Sequence, residues 1–123
     1  LGPSSSAVTW NMDPDVNAID PHLAMTAYRV VVESIRNAVR HGRANRIAVS
    51  AHRHDAASGD APRWLIEVRD DGVGFDPRCV PEDRFGIRSM TGRAQLVGGQ
   101  ISIESQPGGP TCVRVGLPIQ PVG

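Results

Sequence analysis

The chain has 123 residues, enough for one domain with a real core, and carries thirteen basic against thirteen acidic side chains. That balance leaves no electrostatic footprint for a nucleic acid or a membrane surface. No apolar run approaches the ~20 residues a bilayer-spanning helix needs, and no signal-peptide pattern opens the chain.

Leu1 through Ser6, with Gly2-Pro3-Ser4-Ser5-Ser6, reads as a linker or remnant, so the chain is expected to be cut from something longer, with its domain over 7–120. Ala7 to Met12 reads as a short edge strand, ended by the turn chemistry of Asp13-Pro14-Asp15. A helix follows over Leu23 to His41, with Pro21 in its first turn, Asp20 as N-cap and Gly42 as its stop. Tyr28, Val31, Val32, Ile35, Ala38 and Val39 form its expected apolar stripe. Glu33, Asn37 and His41 are spaced by four and stack along a neighbouring polar side. An amide beside a carboxylate suits Mg²⁺, which takes hard oxygen ligands and keeps waters when it also meets phosphates. A solvated helix face with a Glu–Arg pair explains the same residues.

Arg46 to Arg53 alternates as a strand with Ile47, Val49 and Ala51 on one side, and His54 to Pro62 reads as a polar loop. Arg63 to Arg69 is its hairpin partner and delivers Asp70-Asp71-Gly72-Val73-Gly74-Phe75. Aspartate suits a strand interior poorly, and glycines at a strand exit serve tight turns or close backbone approach to a ligand. A carboxylate there can accept from an exocyclic amine, with the glycines leaving room for a flat ring, as adenine would require. Phe75 to Phe85 reads as a loop. Gly86 to Val97 is a second helix, with Ile87, Met90, Ala94, Leu96 and Val97 inward. Gln100 to Ser105 and Thr111 to Leu117 form a last hairpin around Pro107-Gly108-Gly109-Pro110. Hairpin-paired strands with helices on one face predict an α+β two-layer sandwich with a mixed, mostly antiparallel sheet.

Taken together, these motifs resemble the Bergerat-type ATPases: gyrases, Hsp90-type chaperones, MutL and sensor histidine kinases. Glu33-x-x-x-Asn37 is similar to the family's N box and Asp70-x-Gly72-x-Gly74 to its adenine-contacting glycine box. Within the family, the run from Tyr28 to His41 most resembles the ATP-binding domain of NarL/DesK-type histidine kinases. So do Phe85-Gly86-Ile87-Arg88-Ser89-Met90 with Arg93-Ala94, Val97-Gly98-Gly99 and Pro107-Gly108-Gly109-Pro110-Thr111. The likeness covers roughly residues 8 to 119, and several motifs in order are far more specific than any one.

The resemblance implies ATP and Mg²⁺ as cofactors. It implies Asp70 as acceptor for the adenine amine, Thr111 in the network beside it, and Gly72 and Gly74 for backbone approach and turn geometry. It implies Asn37 as the Mg²⁺ ligand, and Glu33 as a residue that orients a water or the phosphoryl acceptor. Arg40 and His41 fall near the phosphate end, although a cation at a helix C-terminus also satisfies the macrodipole. Asp76 to Ser89 corresponds to the ATP lid, where the backbone of Gly86, Ile87, Arg88 and Ser89 would meet phosphate. Ser89 and Pro110 depart from the pattern, each standing where a glycine is usual. His54-Asp55 lacks the helical context of a phosphoacceptor, and His52 with His54 is two ligands short of a metal site. The acceptor histidine is therefore expected on a dimerisation domain of the same parent protein, with a response regulator downstream. The expected fragment is a cytoplasmic monomer with no nucleic-acid or direct membrane contact. Cys79 and Cys112 fit no metal spacing and read as free thiols, with a disulfide still open. A serine kinase of the anti-sigma-factor type and a degenerate regulatory module remain alternatives.

Overall fold

The computed structural model describes residues 7–54, 62–79 (of Cys79, the backbone only) and 86–119. Five strands form one sheet: β1 (Ala7–Met12), β2 (Arg46–His54), β3 (Arg63–Asp70), β4 (Gln100–Ser105) and β5 (Thr111–Pro118). Their order is β1-β2-β3-β5-β4. β1 runs parallel to β2, and the other three pairings are antiparallel. The parallel pair is the one joined by a long helix, because parallel strands require a crossover. The helices are α1 (Pro21–Arg40) and α2 (Gly86–Leu96).

Local chemistry sets the boundaries. The Asp20 side chain accepts from the His22 N–H at 2.8 Å with Pro21 in the first turn, which satisfies one otherwise orphaned donor of α1. Asp13 caps a short 3₁₀ turn over Pro14–Ala18 in the same way. At the other end of α1 the His41 and Gly42 N–H groups both reach the Asn37 carbonyl. His54 is the last residue of β2 and does not belong to the loop after it.

Alternation builds the core. Trp64, Ile66, Val68 and Asp70 fall on one face of β3, and Thr111, Val113, Val115 and Leu117 on the same face of β5; all are buried. Leu23, Val30, Met90 and Ala94 close over these columns from the helix layer. Ala38, Ala44, Ile47, Val49 and Val68 form a second cluster under the C-terminal half of α1.

Two inward assignments are corrected. The buried row of α1 is Leu23, Thr26, Val30, Ser34 and Ala38, whereas Tyr28 is 66% exposed and Val39 is also exposed. Small side chains let α1 approach the sheet and α2. Val31 and Ile35 are partly buried and, like Val8, pack against that second cluster. Leu96, in the last turn of α2, is 81% exposed, while Met90 and Ala94 take the inward positions. Cys112 is a free thiol; the Cys79 side chain, like most of the expected lid (residues 80–85), lies outside the described residues. Among the described residues no helix is long and apolar enough to cross a membrane.

Candidate functional site

A cleft opens at the end of the sandwich where the core columns run out. It is narrow, with free space of ≈ 20 Å³, and partly open to solvent. α1 contributes Ser34, Asn37 and Ala38; α2 contributes Ile87 and Met90; the sheet contributes Asp70, Ile103, Thr111 and Val113. Gly42, Gly74 and Phe75 complete the rim.

Asp70 dominates the electrostatics. Period-two alternation from Trp64 places it in a core-facing register, where an apolar residue would be expected. It is only 8% exposed. Its Oδ1 accepts from the Gly72 N–H at 2.8 Å, and Oδ2 has no hydrogen-bond partner among the described residues. Burial pushes the carboxyl above its ordinary value; the Gly72 N–H pulls back, and neighbouring Asp71 pushes further up. A buried acceptor left open toward a cleft can receive a donor from a ligand, and is costly without one. Asp71 works differently: its Oδ1 accepts from the N–H groups of Asn45 and Arg46 at 2.8 and 2.9 Å, which fixes the turn and holds its carboxyl below the usual range.

Thr111 is the register partner of Asp70 and is buried beside it. Its Oγ1 lies 2.6 Å from Ser105 Oγ, which also accepts from the Phe75 N–H at 2.9 Å.

The glycines serve turn geometry against partners that no local pattern names. A Cβ on Gly72 would lie 2.5 Å from the Gly42 carbonyl oxygen, and one on Gly74, whose φ is +66°, would collide with the Gln106 carbonyl oxygen. The loop after β3 therefore packs backbone to backbone against α1's exit and the β4–β5 turn. The bond from the Gly108 N–H to the Val73 carbonyl, 2.7 Å, ties that turn down. Room for a flat ring is not what the absent Cβ of Gly72 supplies; Gly74 does reach the cleft rim.

Of the other expected residues, Asn37 and Ile87 line the cleft. Glu33 is one turn before Asn37, half-buried, ion-paired to Arg36 at 3.2 Å, with its carboxylate where a Cβ on Gly86 would sit. Arg40, His41, Arg88 and Ser89 are not among the cleft-lining residues; Arg88 and Ser89 are exposed on α2. Ser34, Phe75, Met90, Ile103 and Ser105 were missed. Ser34 alone carried a signal, as a polar residue three before Asn37.

The donor set fits ATP with a phosphate-bound Mg²⁺. The unpaired Asp70 oxygen suits an amine, and Ile87, Met90, Ile103 and Val113 suit an apolar ring. The described residues include no group of three His, Cys, Asp or Glu that could hold a metal. Mg²⁺ commonly needs only one or two protein oxygens when phosphates supply the rest, and the Asn37 amide is such an oxygen.

Comparison with known proteins agrees with this geometry. Residues 23–121 match the family model described as histidine kinase-, DNA gyrase B-, and HSP90-like ATPase. A sensor-like histidine kinase of Chloroflexus aurantiacus is 34% identical over 98 residues, covering 76% of this chain and 16% of the relative. The nitrate/nitrite sensor protein NarQ of Escherichia coli is 28% identical over 112 residues, covering 91% of this chain and 19% of its own. The chain thus spans less than a fifth of either relative. Among solved structures, the histidine kinase AdeS of Acinetobacter baumannii superposes with a TM-score of 0.63 at 15% identity, over 94% of this chain and 55% of that one. The blue-light activated histidine kinase of Erythrobacter litoralis gives 0.66 at 20%, over 91% and 37%. These two share the fold. The chain belongs to the histidine kinase-, DNA gyrase B- and HSP90-like ATPase family, as an ATP-binding domain of the sensor-histidine-kinase type.

Proposed function

We propose that this domain, spanning 7–120 behind a linker at 1–6, binds Mg²⁺-ATP in the cleft and donates the γ-phosphoryl group to a histidine on a dimerisation domain of the same parent protein. The observation that carries this reading is Asp70, a buried carboxylate that lines the cleft, with one oxygen committed to Gly72 and the other without a hydrogen-bond partner among the described residues. It accepts the adenine amine, directly or through a water, with Thr111 beside it. Asn37, facing the same cleft from α1, holds Mg²⁺, which neutralises phosphate charge when bound. Glu33 orients a water or the incoming acceptor. The backbone at the start of α2, from Gly86 to Ser89, meets the phosphates, with Arg40 and His41 adding positive charge nearby.

Phosphoryl transfer depends on positioning and charge stabilisation more than on covalent chemistry by the protein. A domain separated from its acceptor loses that positioning, so the isolated chain turns over slowly or not at all. In the parent the phosphoryl group passes on to a response-regulator aspartate, in the cytoplasm. The chain alone is a monomer, to be checked by light scattering.

The test is incubation with γ-labelled ATP, with and without the parent's dimerisation domain supplied separately. Label on the added domain that is acid-labile and base-stable identifies phosphohistidine. Acid-stable label on serine, or no transfer while ATP binds, contradicts the kinase reading.

A further inference from the structure

We infer that Ser105 is a positioning residue for adenine recognition, an inference that rests on the ATP reading above. Ser105 and Thr111 are the register pair that closes the β4–β5 hairpin, and their hydroxyl oxygens are 2.6 Å apart. The Phe75 N–H can only donate, and it occupies one lone pair of Ser105 Oγ at 2.9 Å. Each hydroxyl has a single proton. If Thr111 donates to Ser105, the Ser105 proton has no partner among the described residues. If Ser105 donates to Thr111, the Thr111 proton is released toward the cleft, beside Asp70. The second arrangement gives every proton a protein or nucleotide partner, whereas the first leaves the proton of the half-buried Ser105 to solvent.

The consequence is a polarity. Asp70 presents an acceptor and Thr111 a donor, side by side on paired strands. The Watson–Crick edge of adenine offers the complement, the N6 amine as donor and N1 as acceptor. Ser105 touches no substrate in this account. It sets the direction of the Thr111 hydroxyl and fixes Phe75, the residue that follows the glycine loop at the cleft rim.

Calorimetric affinities for ATP and for 1-deaza-ATP, in which a C–H replaces N1, test the inference in wild type, Ser105→Ala, Thr111→Val and the double variant. Ser105→Ala is expected to weaken ATP about three- to tenfold, the size of one net hydrogen bond, and to leave 1-deaza-ATP unchanged. In the Thr111→Val background it should weaken ATP no further, and Ser105→Thr should restore wild-type affinity. Equal losses for both nucleotides, or an undiminished loss beside Thr111→Val, would show that Ser105 merely supports the loop and overturn the inference. Should Ser105→Ala fail to fold, Ser105→Cys, similar in size with a weaker donor, must show the same selective loss. Wild type binding both nucleotides equally overturns the inference while the ATP reading stands; wild type binding neither overturns both.

Discussion

Asp70→Asn separates recognition from folding, because one oxygen of that carboxylate belongs to the fold and the other to the cleft. The Gly72 N–H requires an oxygen acceptor at 2.8 Å, so the asparagine carbonyl takes the place of Oδ1. The amide nitrogen then stands where Oδ2 was, and presents a donor to the donor amine of adenine. A hydrogen bond to a charged group is worth ~1.5–3 kcal/mol, and its loss weakens binding roughly 10- to 160-fold. Donor facing donor moves the result to the upper end.

Stability moves the other way. Burial raises the folded-state carboxyl above its unfolded value of 3.8. The folded state therefore holds its proton to higher pH than the unfolded chain does. The burial cost is absent below the unfolded value, sets in as pH rises through the window between the two, and is full above the folded-state value. Asparagine has no such cost. At neutral pH the variant should be at least as resistant to urea as wild type, with that advantage fading toward about pH 3. ATP titration by calorimetry and urea unfolding at both pH values make the assay. ATP affinity within twofold of wild type would refute the role of Asp70 as acceptor. A variant clearly less stable at neutral pH would show that the charge supports the fold and refute the assignment of oxygens.

Asn37→Ala should abolish the Mg²⁺-dependent part of ATP affinity and leave metal-free binding within about twofold, read by titrations with and without Mg²⁺. Leu23, in the first turn of α1, is fully buried, so Leu23→Ala should cost about 2–5 kcal/mol in urea unfolding at an unchanged m-value. Gly109 has φ +76° and its missing Cβ would strike the Gly72 carbonyl oxygen; Gly108, at φ +95°, has nothing within 4 Å. Gly109→Ala should therefore destabilise by more than the ~1 kcal/mol expected from backbone strain alone, and weaken ATP by disturbing the Gly72 N–H that holds Asp70. Gly108→Ala should show the strain alone.

Much of this was legible in the residue order. The Asp20 cap, the turn at Asp13, the period-two columns meeting at Asp70 and Thr111, and the hairpin at Pro107 to Pro110 are local features, and local chemistry decides them. The buried face of α1 was not legible. Tyr28 and Val39 make a bulkier stripe than Ser34 and Ala38, yet the row that α1 buries is Leu23, Thr26, Val30, Ser34 and Ala38, a choice set by packing against distant elements. The packing partners of Gly72 and Gly74 were equally hidden, because that backbone lies about thirty residues away, at Gly42 and Gln106. Ser105 reads as an ordinary strand end until the hairpin brings it to Thr111 and the Phe75 loop.

The central claim is that the cleft between α1, α2 and the sheet is the nucleotide site. Amide chemical-shift mapping of the isotopically labelled chain, titrated with ATP and Mg²⁺, tests it most directly. The account predicts saturable shifts centred on Asn37, Gly72, Gly74, Met90 and Thr111, absent in Asp70→Asn at matched concentrations. Shifts centred elsewhere on the sheet, or none at millimolar ATP in a folded chain, would contradict it.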